Sequence, residues 1–246
     1  MSQPIAAITG GNSGIGLAIS QLFLKNGYKV AVLAQNQSSL SALQQQDPHR
    51  VLTHCGDVSN PKDMEDFYNK CTSHWGKIDT VIANAGIAVP EEIQSVSEQS
   101  LDYSLNVNLK GVFFTVQKSI HHLNPGASIV LISSIQAQKG AGVWSVYGAT
   151  KAAVRSLARS FSEELGAKGI RVNALSPGVT QTPILDKFGF TKDDLNGILQ
   201  QVTDNTPLGR IGQSAEIAQA ALFLASDAAS FITGADLQVD GGLAQI

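Results

Sequence analysis

The sequence predicts a doubly wound α/β domain in which a parallel seven-stranded sheet carries helices on both faces. Three observations carry that prediction. Short apolar runs alternate with helix-period stretches from Ile5 to Val239, glycine-rich sequence follows the first run at once, and no linker, repeat or low-complexity segment divides the chain. Strands joined through helical crossovers lie parallel, and the crossovers are right-handed. One domain spanning residues 1–246 is therefore expected, with ligands in the crevice outside the carboxyl ends of the strands.

Taken in order, residues 5–8 make a first β-prone run. Ile15, Ala18, Ile19, Leu22 and Phe23 then share one helical face, and Gly27 stands where a helix C-terminus favours glycine. Lys29–Ala34 and Val51–Cys55 read as the second and third strands. Asn60-Pro61 supplies a cap and a proline at the first helical position, opening a helix toward His74. A fourth strand over 80–83, a helical pattern over 105–123 and a fifth strand over 128–132 follow. The next helix covers 147–165 and ends near Gly166, and a sixth strand covers 171–175. Beyond Pro177-Gly178 the sequence predicts a loop-rich excursion to Pro207, a helix near 215–224 and a last strand near 237–239.

Composition excludes several classes of function. Charged residues are 15% of the 246, well below the ~25% usual for a soluble domain. The 24 Ser and 19 Gln supply polarity without charge. The rest of the deficit suggests surface hidden between subunits, because interface cores are depleted in charge. No apolar run approaches the ~18 residues of a membrane span, and residues 1–10 lack the basic start of a secretory signal. A formal net charge of -3 with 17 Lys+Arg leaves no basic footprint for nucleic acid. Cys55 and Cys71 show no C-x-x-C spacing, which fits a reducing compartment and a cytoplasmic protein. The adjacent His121 and His122 have no H-x-x-x-H or Cys/His set around them, so no metal site is expected.

The first turn reads T-G-G-N-S-G-I-G between a strand and an amphipathic helix. There, backbone amides and the helix N-terminus favour a pyrophosphate. A glycine triplet alone marks only a tight turn, but this position makes Gly10, Asn12, Ser13, Gly14, Ile15 and Gly16 a candidate dinucleotide cradle of Rossmann type. Further along, Tyr147 and Lys151 stand one helical turn apart on the same face. A phenol titrates near ~10, and a nearby ammonium favours its phenolate, so the pair suits proton exchange with a carbonyl or alcohol near neutral pH. Ser134 follows the fifth strand, placed to hold a substrate oxygen beside the tyrosine. Neither Ser133 nor Ser134 sits in G-x-S-x-G, which argues against hydrolysis.

The glycine spacing G-x-x-x-G-x-G, rather than G-x-G-x-x-G, resembles the short-chain dehydrogenase/reductase family. Several motifs in that family's order strengthen the likeness, which covers essentially the whole chain. Asn84-Ala85-Gly86 resembles its N-A-G element, with Ala83 where many members carry another Asn. Asp57-Val58 is similar to its adenine-contacting pair, and Asn108, Ser134 and the Y-G-A-T-K run over 147–151 match its catalytic elements. Pro177, Gly178, Val179 and Thr182 resemble its cofactor-binding stretch, and D-G-G at 240–242 resembles its ending. The resemblance implies catalysis by Asn108, Ser134, Tyr147 and Lys151. In it, Lys151 also binds the nicotinamide ribose and Asn108 supports a water that relays protons to the lysine. It further implies reversible hydride transfer between a nicotinamide cofactor and a small-molecule ketone, aldehyde or alcohol, and a homotetramer.

Cofactor and substrate are the finer expectations. The second strand ends in Ala34 and Gln35, without the carboxylate that would select NAD. The segment Q-N-Q-S-S-L resembles the R-N-x-x-x-L of NADP-preferring relatives, with Gln35 for the Arg. NADP is therefore expected, with NAD or dual use the alternative. Ile135, Gln136, Trp144, Ile184 and Phe188 join Ser134 and Tyr147 as substrate-pocket candidates, with residues 183–207 as a closing lid. Their apolar character suggests a 3-oxoacyl thioester or another hydrophobic ketone. Enoyl reductases of similar fold usually separate Tyr and Lys by six residues, unlike this chain. The remaining alternative is a dinucleotide-binding regulator without catalysis.

Overall fold

The computed structural model describes residues 3–245. Seven parallel strands form one sheet: β1 (Ile5–Thr9), β2 (Lys29–Ala34), β3 (Val51–Cys55), β4 (Ile78–Ala83), β5 (Leu123–Ile132), β6 (Arg171–Pro177) and, last in the chain, β9 (Asp236–Val239). Their spatial order is β3-β2-β1-β4-β5-β6-β9, so the winding reverses between β1 and β4. That reversal opens a crevice at the carboxyl ends of the strands. Two short segments, β7 (Thr180–Gln181) and β8 (Gly212–Gln213), pair with each other outside the main sheet.

The central strands are buried on both faces, which is why they read as continuous apolar runs and not as alternating ones. Alternate residues still divide between two cores. Ala7, Val81, Ile129 and Leu131 face α3 (Pro61–Trp75), α5 (Gly111–Ser119) and α6 (Ser145–Gly166) through Phe67, Tyr68, Val116 and Val154. Ala6, Ile8, Ile82 and Val130 face α1 (Gly14–Lys25), α2 (Gln37–Gln46) and α8 (Ser214–Ala225) through Ile19, Phe23, Leu40 and Ile217.

Three elements differ from the sequence expectation. Helix α2 has a sequence rich in neutral polar residues and buries only Leu40 and Leu43; the Asn36 side chain caps it by accepting from the Ser39 N–H. The pattern over 105–123 is not one helix. It comprises the end of α4 (Glu98–Leu105), a π-helical turn over Asn106–Lys110, α5 and a 3-10 turn, and β5 then starts at Leu123. The excursion after Pro177 contains α7 (Lys192–Asn205), capped by Thr191 accepting from the Asp194 N–H. Its Leu195, Leu199 and Val202 recur at helical spacing, a signal that the flanking glycines and prolines obscured.

Candidate active site

The turn after β1 is shaped by glycines. Gly14 opens α1 at φ +51°, and a side chain at Gly16 would put its Cβ 2.1 Å from the Gly10 carbonyl oxygen. The turn is also braced from β4. Asn84 Nδ2 donates to the carbonyls of Thr9 (3.0 Å) and Gly10 (3.2 Å), while the Thr9 hydroxyl accepts from the N–H groups of Asn84 and Ala85 (both 3.1 Å). The N-A-G stretch thus holds the glycine turn against the sheet as well as lining the crevice.

A cavity of about 1040 Å³ runs from this turn along the carboxyl ends of the strands. At one end lie Gln35, Asp57 and Val58; the turn contributes Gly10, Asn12, Ser13, Gly14, Ile15 and Gly16, and β4 leads to Asn84, Ala85 and Gly86. Pro177, Gly178, Val179 and Thr182 form the opposite wall. At the far end stand Ser134, Ile135, Gln136, Trp144, Tyr147, Lys151, Ile184 and Phe188. Every candidate residue lines this cavity except Asn108, which is buried behind it. An elongated cleft with a bare-backbone turn at its middle fits a dinucleotide. Glycine turn, Asp57 and Lys151 are the groups that would hold it.

Gln35 and Asp57 meet at the first end, where Gln35 Nε2 donates to the Asp57 carboxylate (2.9 Å). The other Asp57 oxygen accepts from the N–H and hydroxyl of Ser59 (2.8 Å each). Asn12 reaches the hydroxyl of Ser39 on α2 (2.7 Å), and among the described residues no lysine or arginine lines this end.

At the far end α6 carries Tyr147 and Lys151. Ser133 and Ser134 divide two roles: the Ser133 hydroxyl donates to the Lys151 carbonyl (2.9 Å) and fixes α6, whereas Ser134, the serine expected beside the tyrosine, stands next to the Tyr147 phenol. Lys151 donates to the Ile132 carbonyl at the end of β5 (2.9 Å), and its Nζ lies 5.6 Å from the centre of the Tyr147 ring. Burial pushes the Tyr147 phenol above its ordinary range, and the Ser134 hydroxyl draws it partly back. Burial also lowers Lys151 to about 8. The expected lowering of the phenol by the ammonium is therefore reversed, because Lys151 faces the ring and the Ile132 carbonyl while desolvation acts on both groups.

Asn108 occupies the π-helical turn, a local widening frequent at functional sites. Its Oδ1 accepts from the Ile87 N–H (2.8 Å), and its Nδ2 donates to the Ile87 carbonyl (2.9 Å) and the Thr150 hydroxyl (3.2 Å). Thr150 in turn donates to the Tyr147 carbonyl (2.7 Å), so the Asn108 side chain clamps the loop after β4 to the helix bearing the tyrosine. Lys187, Phe190 and the α7 face, which fall within the expected lid over 183–207, also line the far end, as does Lys139, which sequence reading missed. Among the described residues no group of three or more His, Cys, Asp or Glu side chains could hold a metal.

Comparison with known proteins places these features among oxidoreductases. A family model described as enoyl-(acyl carrier protein) reductase matches residues 10–244. An oxidoreductase of Sarocladium schorii, asL5, is 37% identical over 98% of this chain and 96% of its own. The short-chain dehydrogenase/reductase of Brucella melitensis described as a glucose/ribitol dehydrogenase superposes with a TM-score of 0.92 at 34% identity, covering 99% of both chains. A 3-ketoacyl-(acyl-carrier-protein) reductase from the same organism, complexed with NADH, superposes at 0.91 with 30% identity, again over 99% of both.

Proposed function

The chain belongs to the short-chain dehydrogenase/reductase family and is an oxidoreductase, and from that premise we propose that it interconverts a hydrophobic ketone or aldehyde and its alcohol with NADP(H), Tyr147 acting as general acid/base. The observation that carries this reading is the convergence of the Tyr147 phenol, the Ser134 hydroxyl and Lys151 in the cavity that the glycine turn lines. A bound nicotinamide supplies the hydride. Ser134 holds the carbonyl oxygen, and the high phenol value keeps Tyr147 protonated and ready to give that oxygen its proton. Lys151, with its value near 8, exchanges protons near neutral pH and restores the phenol. The three residues between Tyr147 and Lys151 support carbonyl rather than enoyl reduction.

Residues 1–246 act as one dinucleotide-binding domain, and 183–207, including α7, close over the substrate. Tyr103, Leu105 and Phe113, exposed along α4 and α5, support assembly as a homotetramer. Both cysteines are unpaired, in keeping with the cytoplasm. The adenosine end favours NADP by a shallow margin. No carboxylate ends β2, Gln35 occupies the Asp57 carboxylate, and Asn36, Ser38 and Ser39 offer polar groups without charge.

A spectrophotometric screen of ketones, aldehydes and 3-oxoacyl thioesters with both cofactors tests the reading. Turnover of at least one carbonyl is expected, faster with NADPH. A kcat/KM for NADH at least about tenfold above that for NADPH contradicts the cofactor assignment, since tenfold is about 1.4 kcal/mol of discrimination.

A further inference from the structure

We propose that the substrate is a ring-bearing ketone with a carboxylate remote from its carbonyl, the ring lying along the Trp144–Phe188–Phe190 wall and the carboxylate meeting Lys187 and Lys139 at the cavity mouth. This narrows, and rests on, the carbonyl-reductase reading of the same cavity. The wall starts at the proton donor. The Trp144 ring stands edge-on to Tyr147 with centroids 5.8 Å apart, Phe188 stands edge-on to Trp144 at 5.0 Å, and Phe190 follows at 6.2 Å. Trp144 and Phe188 are only half-buried and Phe190 is 37% exposed, so the wall leaves aromatic surface for an occupant to cover. A rigid ring packs against such faces and edges without the rotamer loss of a linear chain.

Among the described residues the charge lining this end has one sign. Beyond Tyr147, the charged lining residues are Lys139 and Lys187, both exposed. Asp57, the one carboxylate lining the cavity among the described residues, lies at the opposite end under Gln35. Lys139 donates to the Leu243 carbonyl (2.8 Å), which keeps it over the mouth. Lys187 directly precedes Phe188, so one short turn, Leu185–Lys187, brings a cation beside the wall. Among the described residues Lys187 has no ion-pair partner, and the nearby Asp186, Asp193 and Asp194 do not line the cavity. A neutral ketone leaves Lys187 without a counter-charge and Lys139 held only by the Leu243 carbonyl.

Three methyl ketones separate the two features: 4-acetylbenzoate, the uncharged acetophenone, and the linear 8-oxononanoate. The expected kcat/KM for 4-acetylbenzoate exceeds that for each of the others about tenfold at low salt, and its lead over acetophenone shrinks severalfold in 0.5 M NaCl, about the screening of exposed charges. Lys187→Glu should cut the 4-acetylbenzoate to acetophenone ratio about tenfold, the cost of exchanging attraction for repulsion. Trp144→Leu should lower the 4-acetylbenzoate to 8-oxononanoate ratio, with Phe188→Leu as the substitute reading if Trp144→Leu does not fold. Ratios cancel any loss of folded enzyme. Acetophenone reduced as well as 4-acetylbenzoate, 8-oxononanoate reduced better, or variants that leave the ratios unmoved overturn the inference. So does reduction of other carbonyls but of neither ring ketone, and all these outcomes leave carbonyl reduction standing. No turnover of any carbonyl overturns both.

Discussion

Tyr147→Phe is expected to lower kcat for ketone reduction about 10³-fold, within the range for removal of a positioned general acid. The substitution deletes one hydroxyl and keeps the ring. The edge-on contact with Trp144 and the placement of Lys151 over the ring face both survive, so the cavity keeps its shape. The Ser134 hydroxyl loses its neighbour but still accepts from the Gln136 N–H (3.2 Å). NADPH affinity, read by fluorescence titration, should change less than about tenfold, because a lost neutral hydrogen bond contributes about 0.5–1.5 kcal/mol at most. Retention of more than a tenth of wild-type turnover would remove Tyr147 from the proton-transfer role.

Lys151→Met is expected to lose most turnover and yet to stabilise the protein at pH 7. The ammonium is 4% exposed and held to about 8, against 10.5 in an exposed lysine. Below pH 8 both folded and unfolded chains carry the proton, and the full desolvation penalty opposes folding. Between pH 8 and 10.5 the folded chain binds fewer protons than the unfolded one, so wild-type stability rises with pH across that window. The shift corresponds to a penalty of about 3 kcal/mol at pH 7, an upper figure because Met leaves the Ile132 carbonyl without its donor. Urea unfolding should therefore show the variant more stable by about 1–3 kcal/mol at pH 7, with the gap narrowing toward pH 10. A gap that widens with pH would contradict the buried-ammonium account. The pairing of lower activity with greater stability is what a functional group held in an unfavourable environment produces.

Much of the architecture was legible because the physics that builds it leaves periodic traces. Strands buried on both faces must be apolar, so the run 29–34, buried from Val30 onward, announced itself with the right bounds. The glycine turn was legible because a Cβ at Gly16 meets backbone, and the Tyr147–Lys151 spacing because one helical turn puts both on one face. Helix α2 was missed because its surface is neutral and polar, leaving no apolar stripe beyond Leu40 and Leu43. The π-helical turn left no trace, since a widened turn uses the same residues as an ordinary one. Ser134 was picked out by its place after the fifth strand and by resemblance, but the direction in which the Tyr147 phenol shifts depends on burial, which spacing along the chain does not record. Asn108 could be picked out by resemblance, but its clamp on Ile87 became visible only in three dimensions.

Reduction of a ketone with NADPH deuterated on the transferring face of C4, followed by mass spectrometry of the alcohol, tests the central claim most directly. The account predicts one deuterium on the carbinol carbon of the product. An alcohol without the label, or a ketone recovered unchanged across the whole carbonyl screen, would contradict it.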